Sequence, residues 1–159
     1  MIKIHALIAS ALGIGYLGKG GGTIASVVFC IIWFLLPAGY NQSNWQVLIT
    51  LVIVIIGTWS SCAVDSVWGN DSSKVVIDEI AGMAIALLFV PHHVIFVIIS
   101  LIAFRFFDIV KPLGIKKLEA LPSGWGVMAD DLLVGLYALA VTRLLIWSAN
   151  KFGLNENVF

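Results

Sequence analysis

The sequence predicts an all-α integral membrane bundle of about five spans, preceded by a short N-terminal re-entrant or interfacial helix, in a single domain over residues 1–159. Three observations predict it. The chain is 60% hydrophobic and 11% charged with a mean hydropathy of +1.04, outside the range of soluble domains. Its apolar residues gather in stretches near the ~20 residues needed to cross a hydrocarbon core. Its clustered acidic residues lie at the ends of those stretches, where an interface can solvate or pair them.

Each element has its own signal. Residues 4–17 follow Lys3 in the manner of a signal peptide, but no small-x-small cleavage site precedes the next apolar run, so the segment is read as retained. It is short and holds Gly13 and Gly15, which favours a re-entrant or interfacial helix over a span. The spans are expected at 23–39, 46–64, 75–91, 93–110 and 127–148. Pro112 helps end the fourth, and the longest polar connection, "KPLGIKKLEALPSGWG" at 111–126, leads to the fifth. Cys30 and Cys62 sit in apolar stretches without metal or redox spacing and read as packing residues. Trp33, Trp59 and Trp147 read as interface or packing residues.

Charge placement orients this topology. Nine basic and nine acidic residues leave no net field to attract nucleic acid. With five spans, Lys3, Lys19, Lys74, Arg105, Lys111, Lys116 and Lys117 fall on or near one side, and only Lys151 and Arg143 towards the other. The basic side is expected to be cytoplasmic.

The same topology brings three acidic segments to that side. "VVIDEIAGM" places Asp78 and Glu79 about 100° apart on a helix, with Gly82 one turn after Asp78 to admit a neighbouring helix. "FRFFDIVKP" places Arg105 and Asp108 at i, i+3 and Lys111 near the helix exit. "GWGVMADDLLVG" supplies the adjacent Asp130 and Asp131 and a glycine, Gly135, one turn after Asp131. Five acids facing two or three bases call for a divalent cation, and an all-oxygen donor set suits Mg2+, with Mn2+ as the alternative. The expected metal ligands are therefore Asp78, Glu79, Asp108, Asp130 and Asp131, with Arg105 and Lys111 left to meet a phosphate. The competing reading is a set of ordinary interfacial ion pairs.

"GKGGGT", at 18–23, adds Lys19, Gly22 and Thr23 as candidate phosphate contacts at a helix start. It is not a P-loop, because Gly20 stands where Ser or Thr is needed and no strand precedes it. His92 and His93 fall on the side away from the acids and His5 at the N-terminus, which argues against a phosphohistidine mechanism.

The pieces "GGGTIAS" at 20–26, "VVIDEIAGM" at 75–83, "FRFFDIVKP" at 104–112 and "GWGVMADDLLVG" at 124–135 together resemble the phosphatidylglycerophosphatase A family, in order and over nearly the whole chain. The resemblance implies a Mg2+-dependent phosphatase of the bacterial inner membrane that converts phosphatidylglycerophosphate to phosphatidylglycerol. The chain departs from the family at Gly21-Gly22-Thr23 for Pro-Gly-Thr, Ala25 for Gly, Gly114 for Pro and Pro122-Ser123-Gly124 for His-Gly-Gly. The acids, Arg105 and Lys111 are intact, so the departures bear on substrate fit more than on reaction class.

The expected enzyme works at the cytoplasmic interface on a phospholipid whose chains stay in the bilayer. Arg105 and Lys111 would neutralise the phosphate, and Asp78 or Asp131 would act as general base, or a carboxylate would attack directly. A small cation- or proton-coupled transporter and a structural subunit are the rival classes. A transporter is expected to hold its acids near the membrane midplane. Oligomeric state is left open.

Overall fold

The computed structural model describes residues 2–37, 39–70, 72–112, 115, 118 and 121–153. Among them are six α-helices and no strand: α1 (Ile2–Ala9), α2 (Gly21–Phe34), α3 (Trp45–Trp68), α4 (Ile77–Ala86), α5 (Val94–Val110) and α6 (Gly124–Lys151). The expected all-helical class holds. Gly114, Lys116 and Lys117 lie outside the described residues.

Length separates the helices. Only α3 and α6, with 24 and 28 residues, are long and apolar enough to cross a membrane unaided. At 1.5 Å per residue they measure ~36 and ~42 Å, against a hydrocarbon core of ~30 Å. α2 and α5 reach ~21 and ~25 Å, and α4 only ~15 Å. The five expected spans are thus two long helices and three shorter ones.

The largest difference falls on 75–91. The apolar run there continues to Val90, but the helix ends at Ala86 and Phe89 takes a left-handed φ of 55°. Two distant polar side chains satisfy the released backbone. Gln46, buried on α3, accepts from the Phe89 amide at 2.9 Å, and Arg143 of α6 donates to the Phe89 carbonyl at 2.8 Å. Irregular backbone is tolerated at depth when protein groups satisfy it in this way. Hydropathy could not reveal this, because the terminating partners lie 43 and 54 residues away.

α4 is instead a central helix. Its run of small residues, with Ala81, Gly82, Ala84 and Ala86 all buried, lets α2, α3, α5 and α6 pack around it. The core beside it is built from Met83, Leu87, Val90, Phe96, Phe104 and Val134. On the outside, Leu51, Ile55 and Trp59 of α3, Ile98, Ile102 and Ile109 of α5, and Leu136 and Leu144 of α6 are exposed. An apolar exterior over a partly polar interior is the arrangement lipid stabilises.

α1 is too short to cross and lies against α3, with Ala9 packed near Val64 and His5 Nδ1 3.3 Å from Ser60 Oγ. The Ala9 carbonyl accepts from the Val76 amide at 2.9 Å, so the N-terminal segment fixes the entry to α4.

Candidate active site

Two bare helix surfaces set the spacing of the acids. Gly82 sits one turn after Asp78 on α4, and Gly135 one turn after Asp131 on α6. A Cβ at Gly135 would fall on the Gly82 carbonyl oxygen, and one at Gly82 would come within 2.6 Å of the Asp131 carbonyl. Backbone therefore meets backbone at this crossing, one turn from the acids. Asp78 and Glu79 occupy the first turn of α4, where the peptide dipoles favour carboxylates.

The result is a convergence of Asp78, Glu79 and Asp131, whose ligand oxygens all lie within 4.8 Å of one another. Asp78 and Asp131 are 5% and 4% exposed, so water does little to screen them. Gly22, at the start of α2, leaves the space for Glu79, since a Cβ there would overlap its carboxylate. Like charges at such separations repel by roughly 3–4 kcal/mol per pair at an effective dielectric of ~20. Two buried carboxylates and a half-buried one thus face one another at distances a cation could bridge.

The other two predicted ligands are paired differently. Lys111 ends α5 in a left-handed conformation, φ 46°, that carries its Nζ to 2.7 Å from Asp130 Oδ2. The Asp131 amide donates to Asp130 Oδ1 at 3.1 Å. The adjacent aspartates thus divide their roles: Asp130 meets a lysine and its neighbour's backbone, while Asp131 turns to Asp78 and Glu79. Arg105 Nη1 lies 2.8 Å from Asp108 Oδ2 as an ion pair, yet without hydrogen-bond alignment. Both bases expected to be left for a phosphate are therefore already beside a carboxylate.

All of these groups line one cavity of about 230 Å³ at the N-terminal ends of α2, α4 and α6 and the C-terminal end of α5. Of the expected site residues it brings together Lys19, Gly22, Asp78, Glu79, Arg105, Asp108, Lys111, Asp130 and Asp131. Thr23 is not among its walls and faces outward, exposed. Among the described residues, five carboxylates against three bases give the lining a formal charge of −2.

The donor set fits a hard divalent cation. Asp78 Oδ1 and Glu79 Oε2 are buried without a hydrogen-bond partner, an expensive state for carboxylate oxygens unless an ion takes them. No histidine or cysteine lines the cavity. His92 instead stacks on Trp33 and Phe34, beside a separate cavity that holds His93.

Sequence reasoning missed Ser72 and Ser73, which line the cavity from the loop before α4. Their signal was weak: two hydroxyls in a polar turn, six and five residues before Asp78. Ser123, where the resembled family has glycine, takes a φ of 59° and donates to Asp65. That bond ties the start of α6 to the end of α3.

The family profile for phosphatidylglycerophosphatase A matches residues 7–146. A Bacteroides thetaiotaomicron protein named "Putative phosphatidylinositol-3-phosphatase" is 37% identical over 152 residues, covering 91% of this chain and 94% of that protein. A Haemophilus influenzae protein named phosphatidylglycerophosphatase A is 30% identical over 141 residues, covering 87% and 85% respectively. No solved structure matches.

Proposed function

The chain belongs to the phosphatidylglycerophosphatase A family, and from that premise we propose that it removes the terminal phosphate of phosphatidylglycerophosphate in a Mg2+-dependent reaction at the cytoplasmic face of a bacterial inner membrane. The products are phosphatidylglycerol, for phospholipid synthesis, and inorganic phosphate. Family membership and two phosphatase-named relatives make the chain a lipid phosphatase of the membrane; substrate, metal and multi-pass orientation are the finer reading.

One observation carries it: buried Asp78 and Asp131 converge with half-buried Glu79, with two partnerless oxygens among them, beside Arg105 and Lys111. These three carboxylates would hold the cation, with Mn2+ as the alternative to Mg2+. When bound, the ion supplies Lewis acidity towards the phosphoryl oxygens and a lowered pKa for attacking water. Arg105 offers its fork to the phosphate, and its unaligned N–H is available for that bond. Lys111, held by Asp130, supplies a second fixed positive charge. Asp131 or Asp78 takes a proton from water as its oxygen bonds to phosphorus. The ester P–O bond breaks, and the departing glycerol oxygen takes that proton back from the carboxyl group.

The basic residues at the cavity end, Lys19, Lys74, Arg105 and Lys111, support its cytoplasmic orientation. The transporter reading is not favoured, because the acids sit at helix ends and the relatives are named phosphatases.

The relative named for phosphatidylinositol 3-phosphate favours a second lipid phosphomonoester as substrate. Phosphate release by purified protein from each lipid, with Mg2+ and with chelator, tests the proposal. Mg2+-dependent turnover preferring phosphatidylglycerophosphate is expected. Preference for the inositide reassigns the substrate, and turnover of neither refutes the enzyme.

A further inference from the structure

An apolar seam of about 240 Å³ runs along α2 and α5, two of the helices whose ends form the cavity. Val27 and Ile31 of α2 with Leu35 at its C-cap form one wall, and Val94, Ile98 and Leu101 of α5 the other. On α5 the series recurs at helical spacing and its next member, one turn beyond Leu101, is Arg105, which lines the cavity. On α2 the series runs back one turn from Val27 to Thr23, beside Gly22, which also lines the cavity. The α5 wall of the seam therefore ends one helical turn from the charged cavity, and the α2 wall ends beside its Gly22 edge. Ile31, Leu35 and Ile98 are 55%, 77% and 48% exposed, so the trough opens sideways, where a bilayer would lie.

We infer that this seam seats one acyl chain of the lipid phosphate, with Thr23 and Arg105 at the junction between chain and phosphate-bearing headgroup. The inference rests on the lipid phosphatase reading and gives Thr23, exposed outside the cavity, a position relative to substrate. Place selects a chain over a partner helix: the α5 wall ends one turn from Arg105, where an occupant that continues into a phosphate-bearing headgroup meets the charged cavity.

A second apolar cavity, of about 320 Å³ between α2, α3 and α4, is the competing seat. Its walls lead, one turn towards the charged end, from Ile53 to Gly57 and from Ile80 to Val76, neither of which lines the charged cavity, whereas the α5 wall of the seam reaches Arg105, which does.

A chain in a bilayer is already in an apolar medium, so the seam adds little affinity there. Its effect is to fix where the headgroup sits, and orientation is worth large rate factors. Filling the trough should therefore harm chain-bearing substrates selectively.

Val27→Phe and Ile98→Trp fill the trough from opposite walls. The substrates are detergent-dispersed dioctanoyl-phosphatidylglycerophosphate and the same headgroup as the chain-free glycerophosphoryl compound. Each variant should lose at least tenfold in kcat/KM on the dioctanoyl lipid and no more than about twofold on the chain-free compound. Equal losses on both, or no loss on either, overturn the seam. A dioctanoyl analogue with a mid-chain diazirine gives a readout independent of turnover. Its label should fall on the α2 and α5 walls, and labelling of Ile49 and Ile53 instead overturns the assignment. If the wild-type protein hydrolyses no lipid phosphate, the proposed function fails while the label still judges the seam.

Discussion

Gly135→Ala places one methyl group at the crossing that holds Asp131 against Asp78. The new Cβ would lie 3.1 Å from the Gly82 Cα and would fall on its carbonyl oxygen. Both obstacles are backbone, so no side chain can swing away. Restoring an ordinary separation of ~3.5–4.0 Å moves α4 and α6 apart by about 1 Å. Alanine gains up to ~1 kcal/mol in helix propensity over glycine, but overpacking of this kind costs ~1–3 kcal/mol. The net expectation is a loss of about 1–2 kcal/mol and a melting temperature lower by several degrees. Activity should fall further, because a misplacement of ~1 Å at reacting groups costs about 100-fold. Phosphate release and thermal melting of the purified protein measure both. Leu136→Ala, at the half-exposed neighbouring position, is the control and should change neither by much. Wild-type turnover and melting in Gly135→Ala would refute the claim that the glycine crossing positions the site.

Three further outcomes follow from the same geometry. Arg105→Ala should cut turnover by about 100-fold or more while leaving Mg2+ affinity nearly unchanged, and Arg105→Lys should rescue only part, because ammonium lacks the bidentate fork; loss of Mg2+ binding with turnover kept would reverse the assigned roles. Lys111→Met leaves Asp130, with a side chain 7% exposed, beside Asp131 without its lysine, and should cost about 3 kcal/mol in stability. Adding Asp130→Asn should recover most of that loss, and a double variant that melts no higher than Lys111→Met would show that charge is not the cause. A reporter fused after Lys117 should read cytoplasmic and one at Asn44 periplasmic, and the opposite pattern would discard the orientation.

The convergence at the candidate site was more legible in the sequence than the helix lengths were. Acids, bases and glycines occur in short motifs whose helical offsets survive folding, so Asp78 with Gly82 and Asp131 with Gly135 could be read as facing groups before any coordinates. Partner choice could not. Whether Lys111 meets a phosphate or Asp130 depends on its left-handed cap at the end of α5, which no local pattern announces. The same limit explains α4. Its apolar run has the composition of a span, but Gln46 and Arg143 capture the backbone at Phe89 and end the helix early. Thr23, read as a phosphate contact from its place at a helix start, lies outside the cavity. It adjoins Gly22 in sequence, yet one residue is about 100° of helix, enough to carry it from the cavity to the outer face.

The central claim is that Asp78, Glu79 and Asp131 hold a divalent cation whose charge makes their burial tolerable. Thermal melting of wild type and Asp131→Asn, each titrated with Mg2+ after chelation, tests it without recourse to activity. A ligand at about 100 times its Kd stabilises by ~2.7 kcal/mol, which is roughly 5–10 °C for a chain of this size. Wild type should show that rise. Asp131→Asn should show little of it, while its metal-free form should melt no lower than metal-free wild type, because one repelling charge is gone. A wild-type melting temperature indifferent to Mg2+, or an Asp131→Asn variant that responds to Mg2+ as wild type does, would contradict the account.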